Sequence, residues 1–417
     1  MSSAIHRLLL ALLLIGLTPA SAFAEWKRAQ SEHFVVYSDG GERALREYTA
    51  KLERFDALLT SHMGGARTEA RRLPVYLVGD GRALRVAVPG LPTGIAGYYS
   101  ASDTDVFAVL VRGESDDILL HEYGHHVMAR AGDMPYPGWF REGFAEYFAT
   151  ATVTERGEAS FGLPGPGRLY ALQRNGWLPM DAVLRADGAL AVESDTGRSM
   201  YYAQSWALTH WLLADASRIG KLSAYVSAVN GGRDPVEAWQ STFGMTPDQL
   251  TAALRSHVRG RLSYAKLNMP PMTPEITVTT LSPAADAVLL PLINARSWNS
   301  EAVDGPALLA TLRAAAARHP DDALALVAVG RAEKRWGDEA AAETALTRAL
   351  DLQGNQVEGL VLMADLATER AAAATDPLER ARQWELAQGF IDRALAADPS
   401  DYMVHSAQAR FRRSARY

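Results

Sequence analysis

His121-Glu122-Tyr123-Gly124-His125 sets two imidazoles four residues apart. On a helix, positions i and i+4 share one face, so both rings can reach one ion. No other feature constrains the chain as tightly. This segment must be helical, and it must meet a second element that completes a ligand set. Asp116 and Asp117 suit a helix N-terminus, and Ile118, Leu119, Val127 and Met128 supply an apolar face. Gly132, Asp133 and Pro135 end the helix. Zinc accepts imidazole nitrogen, and a catalytic zinc takes three protein ligands with one position left open. Glu122 follows the first histidine but lies off the ligand line, where it can take a proton from water held by the ion.

Residues 139–148 predict a second helix, with 16 residues between His125 and Glu142. Glu142 and Glu146 are again i and i+4. One of the two can bind the ion while the other accepts a hydrogen bond from a ligand imidazole and fixes its tautomer. Gly143 is expected to leave space beside the ion, and Phe140, Phe144, Tyr147 and Phe148 read as a packing stripe. His126 points about 100° away from His125 and reads as structural. His33, His62, His257, His319 and His405 have no partners at ligand spacing.

The chain has no cysteine, which excludes disulfides, zinc fingers, iron–sulfur clusters and thiol catalysis. Hydrophobic residues make up 48% and charged residues 22%, enough apolar material for a core. The formal charge of -6 comes without a basic stripe, so no nucleic-acid partner is expected. His6 and Arg7, the apolar run 8–17 and the small residues 20–24 read as a signal peptide over 1–24, cut after Ala24. The apolar run is shorter than the roughly 20 residues a bilayer needs, and no later segment qualifies. No membrane span is therefore expected after signal removal. An exported chain free of disulfides suits the bacterial periplasm.

Residues 25–115 read as an α/β subdomain. Strands are expected at 33–37 and 74–78, a helix over 42–62, and a hairpin over 94–111 with its turn near Ser102 and Asp103. Residues 116–262 read as mainly helical and hold the metal-ligand pattern. Residues 263–301 carry Pro270, Pro271, Pro274, Pro283 and Pro291, and read as a linker with one short strand near 275–281. Residues 302–417 are Ala-rich. Leu326, Val329, Gly330, Ala342, Leu346 and Ala349 form a large/small alternation that lets paired helices approach closely. A second copy runs through Leu360, Met363, Ala364, Ala387, Ile391, Ala394 and Pro399, with an insertion of about 11 residues near 370–382. Leu308, Leu312, Ala315 and Pro320 look like the end of an earlier copy. This alternation resembles a short tetratricopeptide (TPR) array.

His-Glu-x-x-His followed by Glu142-Gly143-Phe144-Ala145-Glu146 resembles the gluzincin branch of zinc metallopeptidases over roughly residues 25–260, and more narrowly the exported peptidase MA-like proteins. The resemblance implies an α+β fold: a zincin-like metallopeptidase domain over 25–262, followed by an all-α TPR-like helical-hairpin module. It implies one zinc ion per chain, His121, His125 and Glu142 as ligands, Glu122 as general base, and Glu146 hydrogen-bonded to one ligand histidine. Residues 199–206 are similar to the segment that supplies an oxyanion-stabilising tyrosine in related aminopeptidases, which points to Tyr202 with Tyr201 left open. His210, two turns on, reads as a packed helix residue.

The expected function is an exported zinc-dependent peptidase acting on peptide or protein substrates. Gly97-Tyr98-Tyr99-Ser100 lacks the carboxylate with which related aminopeptidases hold a substrate amine, so cleavage within chains is favoured. The TPR-like region would recruit a protein partner. Residues 157–167, rich in glycine and proline, suit either a mobile lid or a surface connection. The alternative reading is a non-catalytic TPR adaptor with a structural zincin domain.

Overall fold

The computed structural model describes residues 25–63, 71–102, 105–130, 136–296 and 302–415. The expected signal peptide over 1–24, Asp103 of the expected turn, and Gly132, Asp133 and Pro135 lie outside the described residues.

Strands β1 (Lys27–Gln30) and β2 (Phe34–Ser38) are antiparallel, and helix α1 (Glu42–Met63) leads to β3 (Leu73–Val78), parallel to β2. Helix α2 (Gly81–Ala87), capped by Asp80, precedes the hairpin β4 (Gly97–Ala101) and β5 (Val106–Val111). Strand β5 pairs in parallel with β3. The central strands β2, β3 and β5 are almost continuously apolar because both faces of the sheet are covered. One face packs on Leu45, Leu52, Phe55, Leu58 and Leu59 of α1, whose helical spacing was legible in the sequence.

Helices α3 (Asp117–Arg130) and α4 (Gly138–Phe148) follow, then strands β6 (Thr152–Val153) and β7 (Glu158–Phe161). Next come α5 (Pro166–Arg174), α6 (Met180–Arg185), α7 (Asp195–Leu213), α8 (Ala216–Asn230), α9 (Pro235–Phe243) and α10 (Pro247–Arg259). Side-chain caps start the last four: Ser194, Asp215, Asp234 and Thr246, the last in a capping box with Gln249. Trp139, Trp206 and Trp239 are fully buried at the centre of these helices.

The reading of 263–301 as a linker is corrected. Strand β8 (Ala265–Asn268) pairs with β7, giving the small sheet β6-β7-β8. Strand β9 (Thr277–Thr280), at the place expected for a short strand, pairs with β1 and completes the main sheet in the order β4-β5-β3-β2-β1-β9. Residues Ala285–Arg296 then form a helix, α11, despite Pro291 inside it. Proline removes one helical hydrogen bond. Here Val288, Leu289, Leu292 and Ile293 are all buried, and that burial offsets the loss. The helix is apolar on several sides, so it shows no single stripe to betray it. Leu289 and Ile293 cover Tyr76, Val78, Phe107 and Val109 on the second face of the main sheet. Val288 and Leu292 pack against the helices that follow.

Those helices are α12 (Gly305–Arg318), α13 (Ala323–Trp336), α14 (Glu339–Leu352), α15 (Val357–Ala373), α16 (Pro377–Ala397) and α17 (Tyr402–Ser414). Each begins on a side-chain cap: Asp304, Asp322, Asp338, Gln356, Asp376 and Asp401. A Cβ at Gly330 would lie 2.7 Å from Leu346 Cγ, so the small residue there lets α13 and α14 close up. The extra residues near 370–382 lengthen helices: α15 has 17 residues and α16 has 21, against 14 in α13 and in α14. The fold is therefore α+β, a sheet-containing N-terminal part with a helical C-terminal part. Among the described residues, no helix is long and apolar enough to cross a membrane.

The helical part is docked on the sheet. Arg296 at the end of α11 donates to the Tyr76 hydroxyl (2.7 Å) and to the Glu358 carboxylate. Arg331 donates to the same carboxylate (2.5 Å), and Asp105 lies 3.8 Å from the Arg296 guanidinium. Arg72 binds Asp398 (2.8 Å), and the Tyr402 hydroxyl donates to the Ser102 carbonyl (3.3 Å).

Candidate metal centre

Two close helix contacts bring the i and i+4 pairs face to face. A Cβ on Gly124 of α3 would stand 3.1 Å from Ala145 Cα of α4. A Cβ on Gly143 would fall 2.1 Å from Thr209 Oγ1 and 2.3 Å from the Ser205 carbonyl oxygen, both on α7. The sequence suggested that Gly143 leaves space beside an ion, and that reading is corrected. Gly143 lets α4 press against α7, and α4 is wedged between α3 and α7. Helix α3 is also tied to α1: the Tyr123 hydroxyl donates to Asp56 (2.8 Å), and Asp116 accepts from the Tyr48 hydroxyl (2.8 Å) and from Lys51.

Three donor atoms converge. His121 Nε2 and His125 Nε2 are 3.1 Å apart, His125 Nε2 and Glu142 Oε2 3.2 Å, and His121 Nε2 and Glu142 Oε2 3.3 Å. A tetrahedron with ligand bonds of about 2.0 Å has edges of about 3.3 Å, so the triangle fits a small tetrahedral ion such as zinc. Among the described residues this is the group that could hold a metal ion. Side-chain exposure is 11% for His121, 14% for Glu142 and 30% for His125, so the triangle opens towards solvent on the His125 side.

Around the triangle stands a second layer. His121 Nδ1 lies 3.1 Å from Glu146 Oε1, which makes Glu146 the carboxylate that faces a ring and Glu142 the one that joins the triangle. Glu146 is held by both arms of Arg168, Nε to Oε2 at 2.9 Å and Nη2 to Oε1 at 2.7 Å. The Tyr202 ring meets the His121 ring edge-on, with centroids 5.6 Å apart, and the Arg168 guanidinium lies 4.6 Å over that same tyrosine ring. Tyr201 is fully buried and donates its hydroxyl to the Ala186 carbonyl (3.2 Å). Of the two tyrosines, Tyr202 is the one whose ring meets the His121 ring. Glu122, half-buried, acts electrostatically on His121, Tyr202 and Tyr99 of the edge strand β4.

The charges follow from this packing. Burial opposes ionisation of Glu142, but hydrogen bonds with His121 and His125 outweigh it and bring the carboxyl down to about 2. Burial raises Glu146 too, and His121 with Arg168 bring it down to about 2. Burial lowers His121, but Glu142 and Glu146 outweigh it and raise the imidazole to about 9. Burial, then the charges of Glu142 and Glu122, push Tyr202 up to about 12, so it remains a hydrogen-bond donor at neutral pH.

Arg168 was not visible from sequence. It stands 22 residues beyond Glu146 at the start of a new helix, and no periodicity links the two. The segment 157–167 is not a free lid. Its strand β7 lies between β6 and β8, the Gly162 N–H donates to the Tyr147 carbonyl (3.0 Å), and Trp206 Nε1 donates to the Gly162 carbonyl (3.1 Å). His126 stacks on Tyr123, with centroids 5.5 Å apart. His210 is spent on His257 (2.7 Å) and the Ser263 carbonyl (2.8 Å), which gives His257 a partner that spacing did not reveal. Comparison with protein-family models, with curated proteins and with solved structures gives no match to this chain.

Proposed function

We propose that this protein is an exported, zinc-dependent peptidase of gluzincin type, with a zincin-like domain, one zinc per chain and a C-terminal TPR-like module. The observation that carries the reading is the triangle of His121, His125 and Glu142, with edges of 3.1–3.3 Å, beside a glutamate that the ligand set does not use. When bound, zinc supplies a Lewis acid that polarises the scissile carbonyl and acidifies water. Glu122 takes the proton of the attacking water and delivers it to the leaving amine. Tyr202, protonated at neutral pH, donates a hydrogen bond to the oxyanion. Glu146 Oε1, 3.1 Å from His121 Nδ1, is placed to steady that ring by its charge while Nε2 is turned towards the other two ligand atoms.

The substrate lies along β4, an edge strand of the main sheet that pairs with β5. Strand addition satisfies a peptide backbone without reading its ends. Tyr98, Tyr99 and Ser100 offer no charge for a terminal amine, which favours cleavage within a chain. The test is Glu122→Gln. Casein turnover is expected to fall by about 10³-fold or more with zinc retained. Undiminished turnover in that variant would overturn the mechanism. Zinc bound by the wild-type chain without any turnover would instead favour the adaptor reading.

A further inference from the structure

We infer that Arg168 is a positioning residue that ties the metal ligand His121 and the oxyanion donor Tyr202 into one unit. The inference rests on the peptidase reading and names a residue that reading does not require. Three observations carry it. First, both arms of the guanidinium are committed to Glu146, at 2.7 and 2.9 Å, and Glu146 lies 3.1 Å from His121 Nδ1. A bidentate arginine fixes the plane of a carboxylate, which a single contact does not. Glu146 in turn faces Nδ1 of His121, so its placement steadies the ring whose Nε2 joins the triangle. Second, the same guanidinium lies 4.6 Å over the Tyr202 ring, a cation–π distance, and that ring stands edge-on to His121 at 5.6 Å. One side chain therefore touches the partner of a ligand and the partner of the oxyanion.

Third, Arg168 is delivered by a braced segment. It follows β7, which is paired on both sides, and it sits at the start of α5, where Pro166 begins the helix. Glu146 is 4% exposed. Without Arg168 its charge would be left in a buried place with the His121 imidazole as its remaining ionic partner among the described residues. Lysine cannot replace the fork, because an ammonium is a point charge. The chemistry of Arg168 is thus that of a clamp: it touches neither the reacting atoms nor the ion.

The experiment uses the full chain and zinc alone as the first probe. Zinc affinity is measured by competition with a chromophoric chelator for wild type, Arg168→Gln, Arg168→Lys and the double variant Glu146→Gln with Arg168→Gln. Arg168→Gln is expected to weaken zinc binding 10–100-fold, with Arg168→Lys in between. On casein, kcat falls while KM is unchanged, because Arg168 does not touch the substrate. The double variant removes the buried Glu146 charge together with its half-buried partner, so it controls for misfolding. It is expected to fold like wild type, by circular dichroism and melting, and still to bind zinc weakly. Wild-type zinc affinity in a folded Arg168→Gln, or in the double variant, would overturn the assignment while leaving the peptidase reading intact. A wild-type chain that binds no zinc would overturn both.

Discussion

Two clusters of buried charge lie on opposite faces of one sheet, and they are neutralised by different means. On the α11 face, Glu358 meets two guanidinium groups, Arg296 and Arg331, with Asp105 nearby. Acids and cations are equal in number, and no ion is needed. On the other face, Glu122, Glu142 and Glu146 gather around two imidazoles and one guanidinium, Arg168. Three carboxylates face one guanidinium there, and His121, raised to about 9, supplies part of the balance as a cation. Both Glu358 and Glu142 are held near 2 against the cost of burial. Arginine holds Glu358 and cannot release its proton, whereas histidine holds Glu142 and can. The first cluster is a fastener between the sheet and the C-terminal helices. The second contains a group that could hold a metal ion.

The sharpest way to break this contrast is Arg296→Met. It leaves Glu358 and Asp105 buried with one cation fewer, and unfolding stability in denaturant is expected to fall by about 3–5 kcal/mol. A loss under 1 kcal/mol would mean that the cluster is not a fastener. The pH dependence comes next. The Glu358 carboxyl is held below its ordinary value, so its contribution is full above about 4.5 and is lost as pH falls towards about 2. The shift corresponds to about 3 kcal/mol. Acid titration of stability in wild type and in Arg296→Met should show this loss in the former and a much smaller one in the latter.

A smaller effect separates the two tyrosines. Tyr202→Phe is expected to lower kcat by about 10²-fold with zinc and fold unchanged. Tyr201→Phe removes only a buried hydrogen bond, about 1 kcal/mol of stability, and should leave kcat alone. The reverse pattern would assign the oxyanion role to Tyr201.

Local patterns of this chain were legible, and long-range ones were not. The helix over Glu42–Met63, the β4–β5 hairpin and the pairing of His121 with His125 all follow from spacing within one element. That one acid of the next helix would join them was readable from the i and i+4 spacing of Glu142 and Glu146, and the choice of Glu142 came from the resemblance to gluzincins. Helix α11 was missed because Pro291 and a many-sided apolar surface hide its period. Gly143 was misread because the neighbours that need its missing side chain, Ser205 and Thr209, come from a helix far along the chain. Arg168 and Arg296 were missed for the same reason: each is defined by partners that only folding brings close.

The most direct test is the zinc content of purified protein after dialysis against metal-free buffer, for wild type and for a variant with both His121 and His125 changed to Asn. The account predicts one zinc per wild-type chain and none in the variant, with both proteins folded. Zinc retained at full stoichiometry by the variant, or none bound by the wild-type chain when zinc is supplied, would contradict it.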